Sequence, residues 1–367
     1  MKAAVMRKTS DPLPQLAVED VEIDAPLARE VLVRTVASGV CHSDLHYLKG
    51  DSVMPMPAVL GHEAAGVVEA VGEQVTYVQP GDHVITCLST FCGHCEYCLS
   101  GQPFRCANRA ALGRGPSEKP RLSWEGQSVG QHGGLGGFAE QMLVHENSIV
   151  KIREDMPLDR AALIGCGVTT GMGAVFNTAK VEPGSTVAVY GAGGIGLSAI
   201  QAARIAGARQ VIAVDVFENK LATAKECGAT HVVDASSRDP VQALRDMTDG
   251  GVDYSFEAIG LKQTVTQCFE SIRVGGTATV IGLMPVGQQL ELDGRMFFRG
   301  KFQGSMMGSN RFRIDMPKYV DFYMQGRLRL DEMITRRGSL ADLPEAFRAM
   351  EAGEVVRTVL GFGGKEP

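Results

Sequence analysis

Two patterns of hydrophobic and polar positions divide the chain. From residue 1 to about 152, short alternating runs are broken by glycine and proline, as in Glu30-Val31-Leu32-Val33-Arg34-Thr35-Val36, Ala65-Gly66-Val67-Val68-Glu69-Ala70-Val71 and His83-Val84-Ile85. A period of two with frequent turn residues predicts the short strands of a partly closed β domain. After Gly184, longer apolar runs alternate with stretches of helical period. Strands are predicted at 186–190, 210–215, 231–233, 254–258, 277–283 and 301–305, and helices at 195–206, 218–227, 240–247 and 263–272. Such alternation implies a doubly wound parallel sheet, because each crossover helix must cover a face of it. Gly228 suits the C′ position that ends the second of these helices. From about residue 307 the alternation stops, and Leu343-Pro344-Glu345-Ala346-Phe347-Arg348-Ala349-Met350 reads as a helix of a segment returning to the first domain. The fold class is therefore α/β, with domains expected at 1–167 and 168–306 and a C-terminal return over 307–367. The stretch 107–137, rich in Gly, Arg and Pro and holding the only tryptophan, Trp124, reads as a long irregular loop. Loops of that length usually carry function.

Composition narrows the class. A chain of 367 residues with 44% hydrophobic and 21% charged residues has ample core for two domains. The net charge of −6 comes without a basic block, which argues against nucleic acid or an anionic membrane as partner. No apolar h-region opens the chain, so no signal peptide is expected. No run approaches 18 uninterrupted apolar residues, so no membrane span is expected either. Nine cysteines without a secretion signal point to thiols or metal ligands in a cytoplasmic protein rather than to disulfides. Cys87, Cys227 and Cys268 stand outside the groups below, and the last two read as small buried residues in helices.

The strongest local signal is Gly191-Ala192-Gly193-Gly194-Ile195-Gly196, where an apolar run breaks and passes directly into a helical pattern. In a dinucleotide site the first glycine makes the tight turn, Gly193 lets backbone approach the pyrophosphate, and Gly196 allows close helix–strand packing. Gly194 and Ile195 then open a helix whose unpaired N–H groups face the phosphates. Asp215 ends the next apolar run, 19 residues after Gly196. An acidic group there can accept from the ribose hydroxyls, which favours NAD over NADP.

Four cysteines, Cys92, Cys95, Cys98 and Cys106, fall within 15 residues. Four thiolates close a tetrahedral shell around zinc and leave no place for substrate, which is the structural type of site. An iron–sulfur cluster is the competing use of four cysteines. Cys41, His62 and Cys166 are dispersed, and spacing alone does not pair them. Together they would make a three-ligand zinc site with an open position, the catalytic type.

In order along the chain come Gly39-Val40-Cys41-His42-Ser43-Asp44-Leu45-His46, Gly61-His62-Glu63, the four-cysteine lobe and Gly165-Cys166-Gly167-Val168-Thr169-Thr170-Gly171. The glycine turn and Val356-Arg357-Thr358-Val359-Leu360 follow. Over essentially its whole length the chain resembles the zinc-dependent medium-chain alcohol dehydrogenase family. The resemblance implies a GroES-like β catalytic domain, a Rossmann cofactor domain and an active site in the cleft between them. It implies two zinc ions per chain, one on Cys41, His62 and Cys166, with Asp44 and Glu63 behind the ligands, and one on the four-cysteine lobe. Ser43 and His46 map onto the family's proton relay. His42, Thr170, Lys220 and Arg357 map onto cofactor contacts, Lys220 beside the adenosine ribose with Asp215.

The chain departs from the family pattern in places. The family often has arginine where His42 faces the pyrophosphate, and histidine is charged only when protonated. Leu88 stands at a pocket position that is often aromatic. The long loop is similar to that of the glutathione-dependent formaldehyde dehydrogenase branch, with Arg109 and Arg114 as candidates for an anionic substrate tail or as solvated loop arginines. The reading is an NAD-dependent zinc oxidoreductase that interconverts alcohols with aldehydes or ketones, as a homodimer or homotetramer. The alternatives are the thiol-adduct branch and a dinucleotide-binding protein that has lost catalysis. Intact Cys41, Ser43, His46, His62 and Cys166 argue against the last.

Overall fold

Along Glu30–Gly39, Val31, Val33, Thr35 and Ala37 are buried while Arg34 is exposed, so the alternation turns one face of this strand inward. The strand is central to one of two compact units in the computed structural model, which describes residues 1–9 and 16–363. The expectation about the N-terminus falls in part on residues 10–15, outside the described residues. One unit comprises Met1–Cys166, Arg311–Met324 and Ile334–Pro367, and the other Gly167–Asn310 and Gln325–Met333. The segment 307–367 is thus divided, with residues 307–310 and 325–333 grouping with the second unit. Within the second unit Gln201 donates to the Arg329 carbonyl (3.1 Å) and accepts from the Arg329 N–H (2.7 Å).

In the first unit a seven-stranded sheet runs Ile149–Lys151, His83–Thr86, Glu63–Val71, Glu30–Gly39, Arg357–Gly361, Ile334–Gly338, with Gln141–His145 also paired to Glu30–Gly39. A four-stranded sheet contains Gly130–Gln131, Ala58–Val59, Lys2–Met6 and Ala17–Asp20. Its core is closed by the helix Leu343–Glu351, whose Leu343, Ala346 and Phe347 pack with Phe138, Leu48 and Val5.

Buried His145 caps the turn after its strand, its Nδ1 accepting from the Asn147 N–H at 3.0 Å. Burial, with Arg29 and Arg121 nearby, lowers its pKa from 6.5 to about 4. Below pH 6.5 the unfolded chain therefore takes a proton here that the folded chain refuses, and stability falls as pH drops toward 4. His145→Asn keeps an acceptor and does not titrate. It is expected to reduce the loss of thermal stability between pH 7 and pH 4.5 by about 2 kcal/mol, roughly 5 °C in calorimetry. Equal slopes in wild type and variant would refute this.

The second unit holds a six-stranded sheet in the order His231–Asp234, Gln210–Asp215, Thr186–Tyr190, Val252–Glu257, Ile272–Val280, Lys301–Gly304, with every pairing parallel. Thr186–Tyr190 is buried along its whole length, as a central strand covered on both faces must be. Strand order reverses beside it, and ligands of such sheets bind outside the strand ends at that point. The fifth strand starts earlier than its pattern predicts. Ile272 pairs with Val252 and Thr277 with Tyr254, so residues 273–276 bulge out with Val274 exposed and hide the strand's true start.

A helical stretch over Leu158–Ala179, not predicted from its glycine-rich sequence, is long and apolar enough to cross a membrane by length and composition. Its most apolar window is 83% buried within the protein, which is the setting of a core helix. It contains two wider π-type turns, Ile164–Val168 and Ala174–Ala179.

Candidate active site and metal centres

Gly39 pairs with Glu63 on one neighbour and with Val359 on the other, so the ends of three strands converge. Cys41 follows the first strand, His62 precedes the second, and Arg357 begins the third. Gly39 leaves room for the buried Glu63 side chain, since a Cβ there would lie 2.2 Å from its Oε2 and force it to move. Cys166 arrives in the π-type turn Ile164–Val168. Its neighbour Gly165 packs so closely that a Cβ would stand 3.0 Å from the Thr86 carbonyl.

The sulfurs of Cys41 and Cys166 and one imidazole nitrogen of His62 lie within 4.8 Å of one another, all buried. Nδ1 of His62 is 3.2 Å from Oδ1 of Asp44, while Nε2 is buried without a hydrogen-bond partner among the described residues. A hydrogen bond from Cys166 holds the Cys41 thiol well below its usual range and pushes Cys166 up. Two soft sulfurs, an orphaned imidazole nitrogen and buried negative charge fit a zinc ion. Burial alone would raise the Asp44 carboxyl, but His62 and His132 bring it down to about 2. An ionised carboxylate only accepts, so Nδ1 of His62 carries a proton toward Asp44. Against the opposing effect of burial, Asp44 and Cys41 hold the imidazole well above its usual range, so Nε2 would offer its lone pair once a metal ion takes the place of its proton. Arg357, 5% exposed, donates to the Val40 carbonyl and stands 3.8 Å from Glu63. Oγ of Ser43 lies 3.8 Å from the Cys41 sulfur, and Nδ1 of His46 is 3.0 Å from Asp51. His42 is the exposed first residue of the helix His42–Lys49.

The four cysteines of the lobe also converge. Cys92 and Cys98 stand 3.9 Å apart, Cys95 and Cys98 3.5 Å, and Cys95 and Cys106 4.0 Å. A disulfide would need about 2.05 Å, whereas sulfurs at tetrahedral corners about 2.3 Å from zinc lie about 3.8 Å apart. Backbone N–H groups already point at the sulfurs, Cys92 N to Cys106 (3.2 Å) and Cys95 N to Cys92 (3.3 Å). N–H groups of Cys98 and Ala107 lower the Cys95 thiol to about 6, while burial raises Cys98 to about 12.

In the second unit each glycine of the turn meets the constraint its role requires. Gly191 has φ 92°, and Gly196 would place a Cβ 1.7 Å from the Gly191 carbonyl. A Cβ on Gly193 would project into open space, which is where backbone can approach a pyrophosphate. The helix Gly194–Ile205 starts without a side-chain cap, leaving first-turn N–H groups of Gly194 and Ile195 for an anion. Asp215 accepts from Ala192 N (2.7 Å) through one oxygen and from Val216 N (2.8 Å) and Phe217 N (3.0 Å) through the other. It therefore ties the glycine turn to the strand that Asp215 ends. Lys220 lies over the Phe217 ring at 4.7 Å, and buried Thr170 points its hydroxyl at the Met307 sulfur (3.6 Å).

Residues 28–154 match the alcohol dehydrogenase GroES-like domain family, and residues 194–325 match the zinc-binding dehydrogenase family. The chain is 41% identical to the class-3 alcohol dehydrogenase of Zea mays, over 98% of this chain and 96% of that one. The chain belongs to the zinc-dependent medium-chain alcohol dehydrogenase family. It is an NAD-dependent oxidoreductase that transfers a hydride between a small-molecule alcohol and the cofactor to give an aldehyde or ketone. Two solved alcohol dehydrogenase structures agree in fold. The alcohol dehydrogenase zinc-binding domain protein from Burkholderia ambifaria superposes with TM-score 0.93 at 36% identity, covering 99% of this chain and 98% of that one. Benzyl alcohol dehydrogenase from Acinetobacter calcoaceticus superposes with TM-score 0.90 at 32% identity, covering 99% of each chain.

Within this alcohol dehydrogenase the 107–137 segment differs from the loop expected. It carries the strands Leu122–Trp124, Gln127–Ser128 and Gly130–Gln131. Arg114 is neither solvated nor available to an anionic tail. Its side chain is 5% exposed and donates to Glu30 (2.6 Å), Asp24 (2.5 Å) and the Lys119 and Ala25 carbonyls. Arg121 completes the cluster on Glu30 at 2.6 Å. Arg109 is half-buried and donates to the Phe104 carbonyl. Sequence reasoning also missed His132, buried beside Asp44 with Nδ1 at 2.7 Å. Its only signal was a histidine before two glycines in a long segment.

Proposed function

We propose that this alcohol dehydrogenase works through a catalytic zinc held by Cys41, His62 and Cys166, with a second zinc on Cys92, Cys95, Cys98 and Cys106. The observation that carries the reading is the buried convergence of two sulfurs on an imidazole whose Nε2 has no other partner. When bound, the ion supplies Lewis acidity at the alcohol oxygen and the nicotinamide supplies the hydride acceptor. Ser43, beside Cys41, takes the alcohol's proton at Oγ, and His46 hands a proton on to solvent by way of the cofactor ribose. Because Nδ1 of His46 is engaged by Asp51, Nε2 is the atom that receives it. Gly193, Gly194 and Ile195 receive the pyrophosphate, Asp215 and Lys220 hold the adenosine ribose, and His42, Thr170 and Arg357 complete the cofactor contacts. The first unit is then the catalytic domain and the second the cofactor domain. A homodimer is supported by Lys301–Gly304, the edge of its sheet, with exposed Phe297, Phe298, Leu283 and Val286 nearby in the chain.

The thiol-adduct reading loses its anionic anchor in Arg114. Arg109 remains its other candidate, and NADH formation from formaldehyde and a panel of alcohols, with and without added glutathione, separates the two readings, with thiol-independent turnover expected for the main one. Preference for NAD over NADP is expected to exceed roughly tenfold in kcat/KM, about 1.4 kcal/mol, because Asp215 repels a 2′-phosphate and Val216 and Phe217 supply no cation. Equal efficiency with both cofactors would remove the ribose role of Asp215, and strict dependence on thiol would favour the adduct branch.

A further inference from the structure

We propose that His132 is a positioning residue for the catalytic metal. It fixes the Asp44 carboxylate that orients the ligand His62, and so ties retention of a divalent ion to the 107–137 segment. The inference rests on the assignment of Cys41, His62 and Cys166 as that metal's ligands.

Asp44 is fully buried, and a single oxygen does its work. Oδ1 is approached by Gly61 N (3.0 Å), His62 Nδ1 (3.2 Å) and His132 Nδ1 (2.7 Å), while Oδ2 has no hydrogen bond among the described residues. The shortest of the three contacts comes from His132 and not from the ligand. Two donors outside the metal shell, one on backbone and one on the segment, thus hold the carboxylate in the plane His62 needs.

His132 is itself held. Its ring packs edge-on against His62 and against Tyr47, both at 4.6 Å between centroids. The adjoining Gln131 amide donates to the Leu135 (2.9 Å) and Leu143 (3.2 Å) carbonyls, which pins the turn to its neighbouring strand. Gly133 and Gly134 follow with φ 61° and 73°, and a Cβ on Gly133 would come within 2.9 Å of the Leu88 Cβ. The turn therefore has one way to present His132. Partners that orient metal ligands are commonly worth 10–100-fold in metal affinity.

Three substitutions separate a donor from a filler. His132→Asn places an amide N–H near the position of Nδ1, His132→Gln carries it too far out, and His132→Phe keeps the ring without a donor. In the full-length enzyme with cobalt substituted at the catalytic site, the readouts are the visible d–d spectrum and the rate of ion loss to a chelator. Loss is expected to be roughly tenfold or more faster in His132→Phe and His132→Gln, with an altered spectrum, and close to wild type in His132→Asn. Release from the four-thiol site should be unchanged in all three. Equal release by the Asn and Gln variants, or a Phe variant that matches wild type, would overturn the inference. Wild-type enzyme that takes up no ion at Cys41, His62 and Cys166 would instead overturn the ligand assignment beneath it.

Discussion

Cys166→Ser is expected to lower kcat/KM for alcohol oxidation by about three orders of magnitude, roughly 4 kcal/mol, while the protein stays folded. The sulfur is one of only three ligand atoms in the buried group, and serine offers a hydroxyl in place of a thiolate. Asp44 and His132 would continue to hold His62, and the sheet that carries Cys41 is untouched. The loss should therefore appear in turnover and metal content, not in the fold. Steady-state kinetics, circular dichroism and metal analysis check it together. The expected result is two zinc ions per wild-type chain, about one in the variant, and superimposable spectra. A variant retaining a tenth of wild-type activity, or fully active wild type with a single zinc, would contradict the two-site scheme.

Cys95→Ser should act in the opposite way, lowering stability with turnover per folded molecule largely kept. Its sulfur lies 3.5 Å from Cys98 and 4.0 Å from Cys106, so it is a corner of the closed four-thiol group. Apolar burial in the lobe is small: Phe104 is buried, but Tyr97 and Leu99 are exposed and the helix Glu96–Leu99 has no buried residue. Structural zinc contributes about 10–16 kcal/mol of apparent binding energy in small domains. Losing even about 4 kcal/mol of that would lower the unfolding midpoint by about 10 °C. Thermal unfolding with and without a chelator measures this, with wild type sensitive to the chelator and the variant not. An unchanged midpoint with one zinc missing would show that the lobe folds on its own contacts.

What the sequence determined by itself is what lies close along the chain. Cys92, Cys95, Cys98 and Cys106 sit within one short lobe, so spacing alone sets their geometry. The glycine turn and Asp215 belong to one strand–helix–strand unit, and the structure shows Asp215 bonded to Ala192 within that turn. The six parallel strands were legible because apolar runs of that length have few alternatives to a buried sheet.

Contacts between distant segments were decided only by tertiary structure. Cys166 lies 104 residues from His62 in the sequence, and a helix interrupted by a π-type turn delivers it, a feature that glycines at 165, 167, 171 and 173 conceal. Arg114 looks like a loop cation until Glu30 and Asp24, 84 and 90 residues away, are folded over it. His132 carries no local signal, since its meaning comes from an Asp44 oxygen 88 residues back in the chain. Periodicity reports only whether a side chain faces in or out. Which buried donor meets which buried acceptor is set by strand register and by close approaches such as Gly39 against the Glu63 side chain and Gly165 against the Thr86 carbonyl, and neither exists until the sheet has formed.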